Sequence, residues 1–156
     1  MQNQNKETPV MDAITGVIQT GHLCVLSTIS GDKPYSSLMR YTANDRCSEI
    51  YLVTHKNTTK YRNLLKNPHV SLLMDTRMRA TLSDIQALSI EGVAFTVADA
   101  DKQASDRASI VDRFIHRHPD VAEFVRHPDA AVICVEVHEF LLLNGIQDAH
   151  RVKVTP

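Results

Sequence analysis

The stretch VTHKNTTKYRNLLKNP, residues 53–68, organises the pattern of the whole chain, because an apolar run, IYLV, leads directly into it. That run ends at Thr54, and a helix is predicted to begin near Asn57, with Asn57 or Thr58 as its N-cap. Pro68 ends the helix, since the residue before a proline disfavours helical geometry. Three apolar residues form its predicted buried face: Tyr61, Leu64 and Leu65.

The first turn of this helix contains Lys60, which is an unexpected residue there. Helix N-termini carry partial positive charge, so the lysine opposes the helix dipole by about 0.3–1 kcal/mol. A bound phosphate reverses that penalty, because unpaired backbone N–H groups at a helix start also attract anions. Thr58 and Thr59 add hydroxyl groups, and Thr54 can complete the cradle. The alternative is an ordinary N-cap beside a solvated lysine, and the stretch alone leaves both open.

The remaining pattern predicts about six strands, most of them linked by hairpins. The predicted strands cover residues 22–30, 34–42, 50–54, 69–75, 85–98 and 130–143, with a further, terminal strand over 151–154. The first three have no helix between them, which disfavours a parallel sheet. The pattern therefore predicts an α+β protein: an antiparallel barrel, closed or nearly closed, with attached helices.

Helices are predicted at three further places. Thr8 and Pro9 are typical of a helix start, which leaves residues 1–8 as a flexible N-terminus. That helix places Met11, Ile14 and Ile18 on one face. Residues 101–117 carry the apolar stripe Ala104, Ala108, Val111 and Ile115, and a short helix is expected over 121–125. Within the fifth strand, Gly92 indicates a bulge or a close backbone approach.

Length and composition indicate one domain over residues 1–156. The net charge of -1 gives no general attraction to nucleic acid or to an anionic membrane. No apolar run reaches the roughly 20 residues of a membrane helix, and the polar N-terminus lacks a signal-peptide pattern, so we expect a cytoplasmic location. The three cysteines, Cys24, Cys47 and Cys134, lack zinc-ligand spacing, and Cys24 and Cys134 are expected to be buried free thiols.

Five segments in order carry a family resemblance: PYSSLMRYT, a polar turn, IYLVT, TTKYRNLLKNPHVSLLMD and LSIEGVAFTV. Together they resemble the FMN-binding split-barrel family, which contains pyridoxamine 5'-phosphate oxidase, over about residues 22–97. The resemblance implies a six-stranded antiparallel split barrel of Greek-key topology with peripheral helices. It also implies an FMN-dependent oxidoreductase that acts on a small-molecule substrate or an electron carrier. Homodimers with the cofactor at the subunit interface are implied as well.

The same resemblance assigns residues to the cofactor. The FMN phosphate is expected at Thr58, Thr59 and Lys60, and the ribityl chain and ring edge at Thr54 and the backbone of Val53. The isoalloxazine ring is expected along Ser37, Leu38, Met39 and Arg40. Either DTRMR (75–79) or DIQAL (84–88) would reach the partner's flavin. Positive charge near the ring would come from Arg40, Arg77 or Arg79, because the reduced flavin is anionic.

The sequence departs from the family pattern in three places. The oxidases have an arginine where Ser37 stands and a second basic residue where Thr59 stands. A glutamine that contacts the ring in the family falls at Ala87, with Gln86 one position away. These departures argue against pyridoxamine phosphate as the substrate. A deazaflavin cofactor and a non-catalytic flavin carrier stay open.

The C-terminal part resembles a second group with the same fold. FIHRHPDVAEF and VICVEVHEFLLLNGIQDAHRV look like a diverged form of haem-utilisation split barrels, whose glycine-rich GGFG element would fall at NGIQ and keep only Gly145. In that alternative, His150 would be the axial haem ligand, whereas otherwise it is an ordinary loop histidine. No chelating histidine motif is present, so no metal site is predicted.

Overall fold

The computed structural model describes residues 4–97 and 104–154. Four α-helices are found in these ranges: α1 (Gln4–Thr20), α2 (Thr59–Lys66), α3 (Ala104–Arg117) and α4 (Ala122–Arg126). The strands are β1 (Leu23–Ser30), β2 (Lys33–Ala43), β3 (Glu49–His55), β4 (His69–Asp75), β5 (Gln86–Thr96), β6 (Ala130–Asn144) and β7 (Asp148–Lys153). Short 3₁₀ turns lie at Leu82–Asp84 and Pro119–Val121. None of the described helices is long and apolar enough to cross a bilayer.

The strands close into an antiparallel barrel. Their order is β3-β2-β1-β4-β5-β6, and β6 pairs back with β3, so six strands complete the ring. The strand β4 lies beside β1, where α2 has carried the chain back, and this is the Greek-key arrangement. The predicted fold class is therefore confirmed: α+β, with a six-stranded antiparallel barrel and peripheral helices.

The strand β6 is long enough to serve two partners along one edge. Its first half pairs with β3, from Ala130 opposite His55 to Glu136 opposite Glu49. Its second half pairs with β7, from Glu139 to Asn144. The predicted terminal strand is thus present, but it begins at Asp148 because the hairpin after β6 returns the chain sooner than the apolar pattern suggested.

The predicted irregularity at Gly92 is confirmed in both of its forms. The register between β5 and β6 shifts between Glu91 and Gly92, which is a β-bulge. A Cβ atom at position 92 would collide with the backbone oxygen of Glu136 and crowd the side chain of Val135. Glycine is therefore required where β6 bends closely over β5.

Two apolar clusters hold the fold together. The larger fills the barrel and the space under α1, where Ile14, Val17 and Ile18 are fully buried. The smaller lies outside the barrel, where α3 and α4 pack on β3 and β6 around Tyr51, Val132 and Phe114. This second layer covers the outer face of β3, the strand that leads into α2.

The sequence prediction for the start of the first helix needs correction. The first helix starts at Gln4, five residues before Pro9, so the predicted N-cap at Thr8 was wrong. A proline this early removes only one intrahelical hydrogen bond, which the packed residues that follow outweigh. Residues 1–3 of the predicted flexible segment, and residues 101–103 of the predicted third helix, lie outside the described residues.

The buried faces of α2 and α3 also differ from the predictions. On α2, Leu65 is 64% exposed. Asn63 is buried instead, and its Nδ2 donates to the hydroxyl of Thr28 at 3.0 Å. On α3, Ile110 and Phe114 are buried whereas Ala108 is exposed. The helix is rotated toward its largest apolar side chains, because these remove more apolar surface from water than alanine does.

We expect Gly92→Ala to lower the free energy of unfolding by about 1–3 kcal/mol, the usual cost of forcing an atom into a packed site. Gly16→Ala is the matched control, because an added Cβ at this exposed helical position meets nothing within 4 Å. That change should raise the stability by about 0.4–1 kcal/mol. Urea denaturation measures both, and equal stabilities for the two variants would contradict the close approach at Gly92.

Candidate functional site

A cavity of about 350 Å³ lies where β2, β3, the start of α2 and the α3–α4 segment meet. Its lining is mostly apolar, with polar groups contributed by β2, β3 and the start of α2. The lining residues are Leu38, Met39, Arg40, Val53, Thr54, Thr58, Lys60, Phe114, Val121 and Phe124. Seven of the nine residues predicted to bind a cofactor therefore meet at one cavity, whereas Ser37 and Thr59 do not line it.

The start of α2 is built around the hydroxyl of Thr58. Thr58 is the N-cap, as one of the two predicted alternatives had it, with extended backbone angles of φ -88 and ψ 154. Its Oγ1 donates to the carbonyl of His55 at 2.9 Å and accepts the N–H of Tyr61 at 3.4 Å. The buried hydroxyl of Thr54 lies 3.0 Å from the same oxygen. Both hydroxyl groups are thus engaged within the protein and fix the shape of the helix start.

At the start of α2, the positive charge of Lys60 lines the cavity, and backbone N–H donors lie beside it. The first N–H groups of a helix have no acceptor within it. Those of Thr59 and Lys60 have none elsewhere among the described residues either. The Lys60 ammonium likewise has no hydrogen-bond or ion-pair partner in that part of the chain, and the first turn contains no acidic residue. This part of the cavity can therefore accept an anion without displacing an internal partner.

A second cation borders the same helix start from one turn further along. Arg62 donates to the carbonyl of Asn57 at 2.9 Å and to the hydroxyl of Thr59 at 3.2 Å. Thr59, which replaces a basic residue of the family pattern, therefore holds a basic side chain in place. The loss of positive charge noted in the sequence is thus partly offset by Arg62.

Arg40 on β2 also lines the cavity. Its guanidinium makes a two-pronged contact with the carboxylate of Asp120, at 3.0 Å and 2.7 Å. The other two arginines considered for the ring do not line the cavity. Arg77 instead binds Asp75 at the end of β4, and this contact lowers the pKa of the Asp75 carboxyl. Arg40 is therefore the arginine that the fold brings to the predicted site.

One wall of the cavity, formed by α3 and the segment after it, was missed by sequence reasoning. It consists of Phe114 from α3 and of Val121 and Phe124 from the segment that follows. The Phe124 ring stacks on His55, with centroids 4.0 Å apart and planes 6° from parallel. No local pattern in residues 104–126 distinguishes these residues from ordinary core residues. They reach the site because the α3–α4 segment folds back over β3.

A buried histidine anchors that wall to the barrel. His118 is 1% exposed, and its Nε2–H donates to the carbonyl of Tyr41 at 2.7 Å. Burial lowers the pKa of His118, and the nearby guanidinium of Arg40 acts in the same direction. The neutral imidazole therefore belongs to the folded state, and it fixes the turn from which Val121 enters the cavity.

Comparison with known proteins agrees with this architecture. The sequence model of the family described as pyridoxamine 5'-phosphate oxidase matches residues 10–144. The chain belongs to the pyridoxamine 5'-phosphate oxidase family. No curated protein matches it in sequence. The family match runs from α1 to the end of β6, so the α3–α4 wall and the whole cavity lie within it.

Solved structures show the same fold at low sequence identity. A FAD-binding protein from Mesorhizobium loti is 14% identical with a TM-score of 0.67, over 82% of this chain and 89% of that one. General Stress Protein 26 from Bacillus anthracis is 20% identical with a TM-score of 0.67, over 93% and 98%. A haem-binding protein from Mycobacterium smegmatis is 16% identical with a TM-score of 0.74, and the match takes in 89% of this chain and 55% of that one. At these identities the likeness shows the fold alone.

His150, considered above as a haem ligand, lies on β7, beyond the family match. Its Nε2 is 2.8 Å from a carboxylate oxygen of Asp148, and it pairs across the sheet with Leu142. It is not among the residues that line the cavity. The two cofactor hypotheses therefore point to different places on the barrel.

We expect the pKa of His118 to make stability depend on pH. Because the folded chain holds this histidine with a lowered pKa, the unfolded chain binds the proton more readily, and stability falls as the pH drops below the ordinary value of 6.5. His118→Gln retains an N–H donor for Tyr41 but does not titrate. Its loss of stability between about pH 7 and pH 5 should therefore be smaller than that of the wild type.

Urea denaturation at several pH values measures this difference. His138→Gln is the control, because His138 is exposed on β6. Its pH dependence should follow the wild type. An identical pH dependence for wild type and His118→Gln would show that the buried imidazole does not contribute.

Proposed function

We propose that the chain binds FMN in this cavity and works as an oxidoreductase of the pyridoxamine 5'-phosphate oxidase class. The observation that carries the proposal is the meeting of Leu38, Arg40, Thr54 and Lys60 at one cavity, although they come from separate segments. The sequence resemblance alone singles out these same residues, independently of the cavity. The substrate is left open, because Ser37 and Thr59 depart from the oxidase pattern.

The phosphate is assigned to the start of α2. Two unpartnered N–H groups, the Lys60 ammonium and the nearby Arg62 offer the charge that a dianion needs. A helix N-terminus favours negative charge in the same direction. By itself, the lysine in the first turn opposes the helix dipole. It becomes favourable when the anion is bound.

The ring is assigned to the apolar middle of the cavity. Leu38 and Phe124 offer flat or flexible apolar surface, and Val53 closes the side of β3. The side chain of Met39 belongs to the barrel core, so its backbone is the part that faces a ligand. When bound, FMN would supply the hydride or electron transfer itself. The chain's own residues bind it, orient it and exclude water from one face.

Haem is the second candidate. The observation that favours haem is that this chain has the same fold as a haem-binding protein. The charges of the cavity argue against haem at this place. Haem carries two carboxylates, whereas among the described lining residues only Lys60 is a cation without a carboxylate partner. His150 does not reach the cavity. A non-catalytic flavin carrier would use the same site as the enzyme and differs only in turnover.

The proposed homodimer has a surface to fit it. Leu38, Val25 and Leu73 lie in one row across β2, β1 and β4, on the outer face of the barrel. Leu38 is 68% exposed and Leu73 39% exposed on either side of Val25, so the row is an exposed apolar patch. Because Leu38 also lines the cavity, a second copy on this row would cover the open side of the cofactor site. The buried free thiols of the described cysteines suit a reducing compartment such as the cytoplasm.

The visible spectrum of the purified protein tests the cofactor. We expect a flavin spectrum, and mass analysis of the released ligand should identify FMN. A strong Soret band would support haem and overturn the flavin assignment. Steady-state reduction by nicotinamide donors then separates an enzyme from a carrier.

Lys60→Ala should weaken FMN binding by about 1.5–3 kcal/mol, roughly 10- to 150-fold, the usual worth of a charged hydrogen bond. Riboflavin, which lacks the phosphate, should bind wild type and variant almost equally. Lys66→Ala, in the last turn of the same helix, is the control and should leave both affinities unchanged. Fluorescence titration measures them. Unchanged FMN affinity in Lys60→Ala would refute the phosphate assignment.

The dimer is tested by light scattering after size exclusion. Leu73→Asp places a charge in the apolar row and should convert the dimer to a monomer. Leu65→Asp, an equally drastic change at an exposed leucine on α2, should leave the dimer intact. A wild-type monomer that retains its cofactor would contradict the shared interface.

A further inference from the structure

The contact between Arg40 and Asp120 joins residues that are 80 positions apart in the chain. Both terminal guanidinium nitrogens and both carboxylate oxygens take part, which is the strongest geometry that such a pair adopts. Arg40 lines the cavity, whereas Asp120 belongs to a neighbouring surface groove with Pro119 and Glu123. The carboxylate therefore pairs with Arg40 without itself lining the cavity.

The fold holds Asp120 in this position. His118, two residues earlier, is buried and bonded to the carbonyl of Tyr41, the neighbour of Arg40 on β2. The 3₁₀ turn Pro119–Val121 follows directly, and Val121 enters the cavity wall. The two charged side chains thus meet because their backbones are fixed side by side, so pairing them requires little additional ordering.

We infer that Asp120 is a positioning residue that holds Arg40 against the cavity and cancels its charge at the ring end of the site. This inference rests on the proposed flavin site. The two side chains are 40% and 59% exposed, so the pair by itself contributes little to stability. A planar ligand that covers Arg40 removes water from the pair, and the neutralising carboxylate then matters more.

The consequence concerns which ligand charges the site tolerates. With Arg40 neutralised, Lys60 is the one uncompensated cation among the described lining residues. The site then suits a ligand with an anionic group at one end and an uncharged ring at the other. Oxidised FMN fits this description, whereas the reduced ring is anionic and gains nothing from a guanidinium that is already paired. Asp120 therefore lowers the reduction potential of bound FMN.

The test is an anaerobic dithionite titration of bound FMN with an indicator dye. Asp120→Asn frees the charge of Arg40 and should favour the reduced flavin over the oxidised one by about tenfold, a rise of about 30 mV for a two-electron couple. Glu123→Gln removes a carboxylate from the same segment without touching Arg40 and should leave the potential unchanged. An unchanged or lowered potential in Asp120→Asn overturns the inference.

A double-mutant cycle shows whether the effect passes through Arg40. In an Arg40→Gln background, Asp120→Asn should shift the potential by less, because the carboxylate is then no longer held beside the ring by the guanidinium. An equal shift in both backgrounds would mean that Asp120 acts directly or by disturbing the wall. That result would overturn its role as a positioning residue.

Hydrogen exchange of the unliganded protein tests the positioning separately from the cofactor. Asp120→Asn should raise amide exchange in residues 118–126 about two- to fivefold, and Glu123→Gln should not. Unchanged exchange in Asp120→Asn overturns the positioning role whichever cofactor is bound. A wild-type chain that takes up no FMN overturns the proposed function and the charge-balance argument, while the exchange result still decides whether Asp120 holds the wall.

Discussion

The pairing of β3 with β6 is the interaction on which the rest of the structure depends. It closes the barrel, and it continues to His55 opposite Ala130, after which the Lys56 N–H still bonds to the carbonyl of Asp129. Because β6 begins where the α3–α4 segment ends, this closure also brings that segment against the end of β3. The cavity is thus a consequence of barrel closure: one strand pairing sets both the helix that starts at Thr59 and the wall that faces it.

The parts of this arrangement that were predictable are those encoded locally. The end of β3, the start of α2 and the stop at Pro68 occur within one short stretch, so cap chemistry and apolar pattern predicted them to within a residue or two, with Thr58 one of two N-cap alternatives and β3 ending at His55 rather than Thr54. Gly92 was identifiable because a glycine weakens the interior of a strand unless a bulge or a close backbone approach requires it. The family resemblance then related Leu38 and Arg40 to Lys60, which no periodicity could have done.

The parts that escaped prediction depend on long-range geometry. Phe114 and Phe124 have the same local signature as core residues, and only the return of α3–α4 over β3 brings them to the cavity. The partner of Arg40 lies 80 residues away on a short turn, and nothing in the sequence marks Asp120 among the other acidic residues. The exposed Leu65 illustrates the same limit, because in a helix of eight residues a small rotation exchanges buried Asn63 for leucine.

The internal hydrogen bonds of the Thr54 and Thr58 hydroxyl groups have a kinetic consequence for the proposed site. Each is already hydrogen-bonded to a neighbour within the chain, so under the proposed assignment the start of α2 has its final geometry before any ligand arrives. An incoming ligand loses its own translational freedom but orders no loop, which is the advantage of a pre-organised site. Association is then governed by encounter and electrostatic attraction, and the residence time by the strength of the contacts once formed.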